Sequence, residues 1–143
     1  MRRPNHLGIF AGAAVFWIFG AIWFTVFSAP WRAAVGMPSG TMSGAAVAWS
    51  YILAFLAAAL IAYLCDNMLW HYERADAAKG AQVGLLAGFC GGCPVIVMMG
   101  SFEMRPLALI LIDCGYVLIG AILAGTTVGA VRAFAARRAA GSR

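Results

Sequence analysis

The sequence predicts an all-α integral membrane protein, a bundle of four transmembrane helices. Composition is the first support: of 143 residues 64% are hydrophobic and only 10% charged, with a mean hydropathy of +0.88. Soluble domains run nearer half apolar and about a quarter charged. A core of this size cannot hide so much apolar surface, whereas lipid covers it from outside. Patterning is the second support. The apolar residues gather into four runs, each long enough to cross about 30 Å of hydrocarbon at about 1.5 Å per residue. No polar stretch is long enough to fold separately, so a single membrane domain over residues 1–143 is expected.

The first run covers residues 7–27. It is longer than the apolar core of a signal peptide, and Phe27-Ser28-Ala29 is not an Ala-x-Ala cleavage site, so it reads as a retained span. The second covers 45–64, the third 81–100 and the fourth 107–131. With four spans, Arg2, Arg3, Arg74, Lys79, Arg132, Arg137, Arg138 and Arg143 fall on one side, against Arg32 and Arg105 on the other. This bias predicts a multi-pass membrane protein with both termini and the middle loop in the cytoplasm. The formal charge of +5 then reflects basic flanks that set topology and meet lipid headgroups; nucleic acid is not an expected partner. Trp31 and Phe102 outside, with Trp70 and Tyr72 inside, suit interfacial aromatic belts.

Helices in lipid associate mainly by close packing at small residues. Gly80, Gly84, Gly88 and Gly92 recur every four residues along the third span, with Gly8 and Gly12 in the first and Gly125 and Gly129 in the fourth. Such stripes serve packing within one bundle or homo-oligomer formation equally well. Leu7-Gly8-Ile9-Phe10-Ala11-Gly12 is similar to Val83-Gly84-Leu85-Leu86-Ala87-Gly88, and Pro30 and Pro106 share the offset of 76. That similarity predicts two parallel two-helix repeats.

Two stretches resemble a bacterial membrane family known as domain of unknown function 1761. One runs from Gly20 through Ile22, Trp23, Phe24 and Pro30 to Trp31, leading to Gly36. The other is Phe102-Glu103-Met104-Arg105-Pro106 followed by Leu111-Ile112-Asp113-Cys114-Gly115-Tyr116. The resemblance covers most of the chain and implies a compact four-helix membrane protein with no established activity. Cys90-Gly91-Gly92-Cys93-Pro94 departs from the family pattern.

Asp113 is the sharpest chemical signal, about 10 Å into the fourth span by helical rise. A carboxyl at that depth either ties helices together or handles a solute or proton. Tyr116, one turn on, is placed to bond it, and Trp23 should sit at comparable depth to donate its indole N–H. Cys90 and Cys93, three apart, share a helix face and form a candidate soft-metal or disulfide pair, with Gly91, Gly92 and Pro94 loosening the helix. Buried cysteine also serves as a small hydrophobe. Cys114 is expected near the depth of Cys93, and Cys65 away from it. His6 and His71 flank span ends as solvated residues; Glu73, Arg74, Asp76 and Lys79 read as a solvated turn. Glu103 and Arg105 cap the outer turn before Pro106 opens the next helix.

Walker, Gly-x-Gly-x-x-Gly, His-Glu-x-x-His and Gly-x-Ser-x-Gly motifs are absent. The leading expectation is a non-enzymatic carrier, channel or accessory subunit of a larger membrane complex. The alternative is a thiol-dependent redox protein or mercury or copper carrier using Cys90 and Cys93. No cofactor is specified.

Overall fold

In hydrocarbon every backbone polar group must bond within the protein, which for isolated apolar runs leaves the helix. The computed structural model describes residues 4–36 and 44–141. Arg2, Arg3 and Arg143, which enter the charge count, lie outside them. Seven elements follow in order: α1 (His6–Val26), α2 (Ser28–Val35), α3 (Gly44–Leu69), α4 (Ala77–Leu86), a π-helical turn (Ala87–Gly92), α5 (Cys93–Phe102) and α6 (Leu107–Gly141). The α4–π–α5 unit is one continuous rod, so four rods are long and apolar enough to cross a membrane. The chain is an all-α, multi-pass membrane protein.

The helices overrun the apolar runs for local reasons. α3 continues past residue 64 to Leu69 and so takes in Cys65 and Asp66, both buried. α4 starts at Ala77 because the Asp76 side chain accepts the Lys79 backbone N–H at 2.8 Å, capping the helix. Asp76 is therefore a cap and not simply part of a solvated turn. α6 runs on through an Ala- and Arg-rich tail of strong helix formers to Gly141. Its length, about 52 Å by rise, exceeds the hydrocarbon layer. The short α2 was not expected. The chain breaks at Phe27, restarts with Pro30 in the first turn, and stops at Gly36 in the left-handed conformation (φ 67°).

α6 is the central post. It packs most broadly on α4 and α1, also touches α3, and α3 meets α4 through only a slender contact. Two parallel repeats would make the α1–α6 and α3–α4 interfaces equivalent, and here they are unequal. The core is dominated by small side chains: Ala13, Ala58, Ala62, Ala121 and Ala124 are fully or almost fully buried around Phe16, Val83 and Val128.

The glycine stripe lies on α6. A Cβ at Gly80 would stand 2.1 Å from the Gly125 carbonyl oxygen, and one at Gly84 2.2 Å from that of Ala121. In return, a Cβ at Gly125 would stand 2.3 Å from the Gly80 carbonyl oxygen, and one at Gly129 2.1 Å from that of Asp76. Gly88 lies against Leu118 and Ala121, and Gly92 against the Val117 side chain. The contacts at Gly80, Gly84, Gly125 and Gly129 are backbone-to-backbone within one chain, a form of close packing that only glycine permits. Gly84→Val should therefore lower the melting temperature in detergent sharply, by the equivalent of about 3 kcal/mol or more, since backbone cannot yield as a side chain does. Gly91→Ala, with nothing within 4 Å of its added Cβ, should melt like the parent.

Candidate functional site

The two stretches that carry the family resemblance meet at one end of the bundle, opposite the termini. In the Ile112–Tyr116 segment the Ile112 carbonyl, Asp113, Gly115 and Tyr116 meet partners on α1 or α2, while Cys114 meets Cys93 on α5. The Trp23 indole N–H donates to the Ile112 carbonyl at 3.2 Å, and the Trp31 indole N–H donates to Asp113 Oδ1 at 3.1 Å. Gly115 admits the Trp23 ring, 2.9 Å from where a Cβ would lie. Gly20 admits Tyr116, whose ring sits among Phe16, Phe19 and Phe24 with centroids 5.2, 6.2 and 4.9 Å away.

Two assignments are corrected by this geometry. The indole that reaches Asp113 belongs to Trp31, because the chain breaks at Phe27 and α2 packs against α6; Trp23 is held by a backbone carbonyl. Tyr116 joins the aromatic cluster, its hydroxyl 2.9 Å from where a Gly20 Cβ would lie. The Asp113 side chain is 21% exposed, and Arg105 Nη1 approaches its second oxygen at 3.9 Å. Arg105 is itself paired with Glu103 through Nε and Oε2. The turn closes with the Arg105 N–H on the Gly100 carbonyl (2.9 Å) and Met104 at φ 53°. Pro106 precedes α6 and accepts from the N–H groups of Leu109 and Ile110. An open cleft lies beside this cluster, between Trp31, Val35, Glu103, Arg105 and Leu109.

A second polar centre, at the end that carries the termini, escaped the sequence reading. Asp66 is 2% exposed, with Oδ1 accepting from Arg132 Nε at 2.6 Å and Oδ2 from the Asn5 backbone N–H at 3.3 Å. Arg132 Nη2 also donates to the Asp66 carbonyl at 3.3 Å, and its guanidinium lies 5.8 Å from the Trp70 ring centroid. Asn5 in turn caps α1 by accepting the Gly8 N–H at 3.1 Å. One carboxylate thus joins α1, α3 and α6. An anion in the last turn of α3 opposes the helix dipole, and the guanidinium offsets that penalty. Arg132, counted in the sequence only as a topology charge, is chiefly a partner of Asp66. The available signal was an acid and a base at same-side ends of two spans.

On α6, Asp113 and Arg132 are 19 positions apart, about 28 Å by rise, close to the thickness of the hydrocarbon layer. Between these borders none of the four rods carries Asp, Glu, Lys or Arg. The Ser and Thr hydroxyls in the rods bond back to their own helices: Thr25 to Ala21, Ser50 to Ala46, Ser101 to Val97, Thr126 to Ile122 and Thr127 to Leu123. The thiols are divided. Cys65 is buried in the core, Cys90 is exposed, and Cys93 faces Cys114 on α6. The Cys90–Cys93 pair is thus split, and among the described residues no three His, Cys, Asp or Glu gather as a metal set.

Removing one partner of a buried ion pair leaves the other charge stranded, at a cost of about 3–5 kcal/mol. Arg132→Met should lower detergent stability by that order, and adding Asp66→Asn should recover part of it in a double-mutant cycle. At the other end Trp31→Phe should cost about 1.5–3 kcal/mol, the scale of a hydrogen bond to a charged group. Asp113→Asn should cost less, because the amide oxygen still accepts the indole N–H.

No curated protein and no solved structure matches this chain. A family match covers residues 7–129, the span that holds the aromatic exit of α1, the Glu103–Arg105 turn and the Asp113 segment. The chain belongs to DUF1761, a family of proteins of unknown function.

Proposed function

We propose that this protein is a non-enzymatic accessory subunit of a larger membrane assembly, in the bacterial inner membrane with both termini cytoplasmic. The observation that carries the reading is the use made of the charged groups. They stand at two borders about one hydrocarbon thickness apart, and Asp66, Arg132 and Asp113 each fasten one helix to another. Intramembrane carboxylates that move solutes usually face water or a partner charge along a path. Here the layer between the borders is closed by Phe16, Tyr116, Val83 and a run of alanines.

The outer surface fits a subunit. α3 is the least covered rod, and it turns Trp49, Tyr51, Ile52, Leu53, Leu56, Leu60 and Tyr63 outward. Trp17 on α1 adds to this face, its indole N–H bonded to the Tyr51 carbonyl at 3.1 Å. Tyr and Trp give large, rigid contact area and are enriched where membrane and protein surfaces meet.

Extraction from the native membrane in mild detergent tests the assignment. The subunit reading expects stable co-purification with larger membrane polypeptides in fixed ratio, and loss of that association when Trp49 and Tyr51 are replaced by Ala. Recovery as a clean homo-oligomer, together with solute flux in reconstituted vesicles that Asp113→Asn abolishes, would replace it with the carrier reading.

A further inference from the structure

Among the described residues the charges stand at the borders and the Ser and Thr hydroxyls in the rods bond to their own helices, which leaves the thiols as the ionisable soft donors of the membrane layer. Cys93 Sγ lies 3.7 Å from the Cys114 carbonyl oxygen, and Cys114 Sγ lies 3.8 Å from the Cys93 carbonyl oxygen. This reciprocal contact sets the two sulfurs side by side across the α5–α6 interface. Both residues are half-buried, neither locked in the core nor bare on the surface.

The π-turn is what makes the pair. In an unbroken α-helix Cys90 and Cys93 would share a face. The wider turn over Ala87–Gly92 rotates the register, so that Cys90 points outward while Cys93, first in α5, turns to α6. Pro94 lacks the N–H that would bond the Cys90 carbonyl, which favours the irregular turn.

We propose that Cys93 and Cys114 form a two-sulfur binding site for a thiophilic d10 cation, the mercuric ion in preference to the cuprous ion. Coordination number gives the class. With no third His, Cys, Asp or Glu gathered there among the described residues, the site offers nothing to a structural zinc, which takes four ligands. Soft thiolate donors favour soft metals, and linear two-sulfur coordination is stable for d10 ions. Net charge gives the preference within the class. Binding proceeds as 2 RSH + HgCl2 → RS–Hg–SR + 2 H+ + 2 Cl−. Two S–H and two Hg–Cl bonds break, two Hg–S bonds form, and no electrons change hands. The product is neutral, whereas a cuprous ion between two thiolates leaves one negative charge, which is costly at membrane depth.

The site stands independently of the subunit reading, since it rests on other residues and is measured on the purified chain. Detergent-solubilised protein is mixed with one equivalent of HgCl2 and desalted against millimolar glutathione, a monothiol that cannot chelate. The expected result is one mercury retained per chain, with two sulfur neighbours by X-ray absorption. Retention should fall at least tenfold in Cys93→Ser and in Cys114→Ser and be unchanged in the Cys65→Ser/Cys90→Ser double variant. Melting curves matching the parent would show that the serine variants keep the fold; if either does not, the alanine variant at that position is used in its place. Absence of retained mercury in the parent, or retention that depends on Cys90 instead of Cys114, would overturn the proposal.

Discussion

The bundle depends on how closely the backbones of α4 and α6 approach. Lipid gives helices no hydrophobic reason to associate, so dispersion contacts between well-fitted surfaces must carry the interface. Gly80, Gly84, Gly125 and Gly129 bring carbonyl oxygens within 2.1–2.3 Å of where a Cβ would stand, leaving no room for any other residue. That seam makes α6 the central post, and α1 and α3 are arranged around it. It also aligns the π-turn and α5 so that Gly92 meets Val117 and Cys93 meets Cys114.

Two polar fasteners then fix the positions that apolar packing leaves free to slide. The Asp66–Arg132 pair sets the depth of α3 against α6 and, through the Asn5 N–H, of α1 against both. At the opposite end Trp31 and Trp23 hold α2 and α1 to the Asp113 segment. Buried ion pairs are weak sources of net stability but strong penalties against misalignment, because a shifted register strands a charge. Packing and polar specificity therefore act on different links: the glycine seam determines which helices touch, and the fasteners determine at what register.

Much of this was legible in the sequence. Run length and composition were enough for four membrane helices, and spacing alone revealed the glycine stripe. Asp66 was not visible as a buried group because it lies just beyond the apolar run, where a charge ordinarily marks solvent. Its burial follows from Arg132, which is distant in sequence and looks like a topology charge. The Trp23 assignment failed because helical rise places residues along one straight axis. A break at Phe27 and the packing of α2 on α6 bring Trp31 to Asp113, and nothing in Ser28-Ala29-Pro30 announces that direction. Gly91, Gly92 and Pro94 did signal a loosened helix. Which way the π-turn would rotate Cys93 was set by the partner helix.

The region matched to DUF1761 includes both halves of the Trp31–Asp113 junction. The glycine face of α4 packs on α6 within one chain. A hypothetical Cβ at Gly88 lies 3.2 Å from the Ala121 Cβ, near the span of about 3.5–4.5 Å that a disulfide bridges. The most direct measurement is oxidation by membrane-permeant iodine of a Gly88→Cys/Ala121→Cys variant whose four native cysteines are replaced by Ser. A disulfide formed within single chains, identified by peptide mass under non-reducing conditions, is the predicted result. Disulfide-linked dimers, or no disulfide at all, would contradict it.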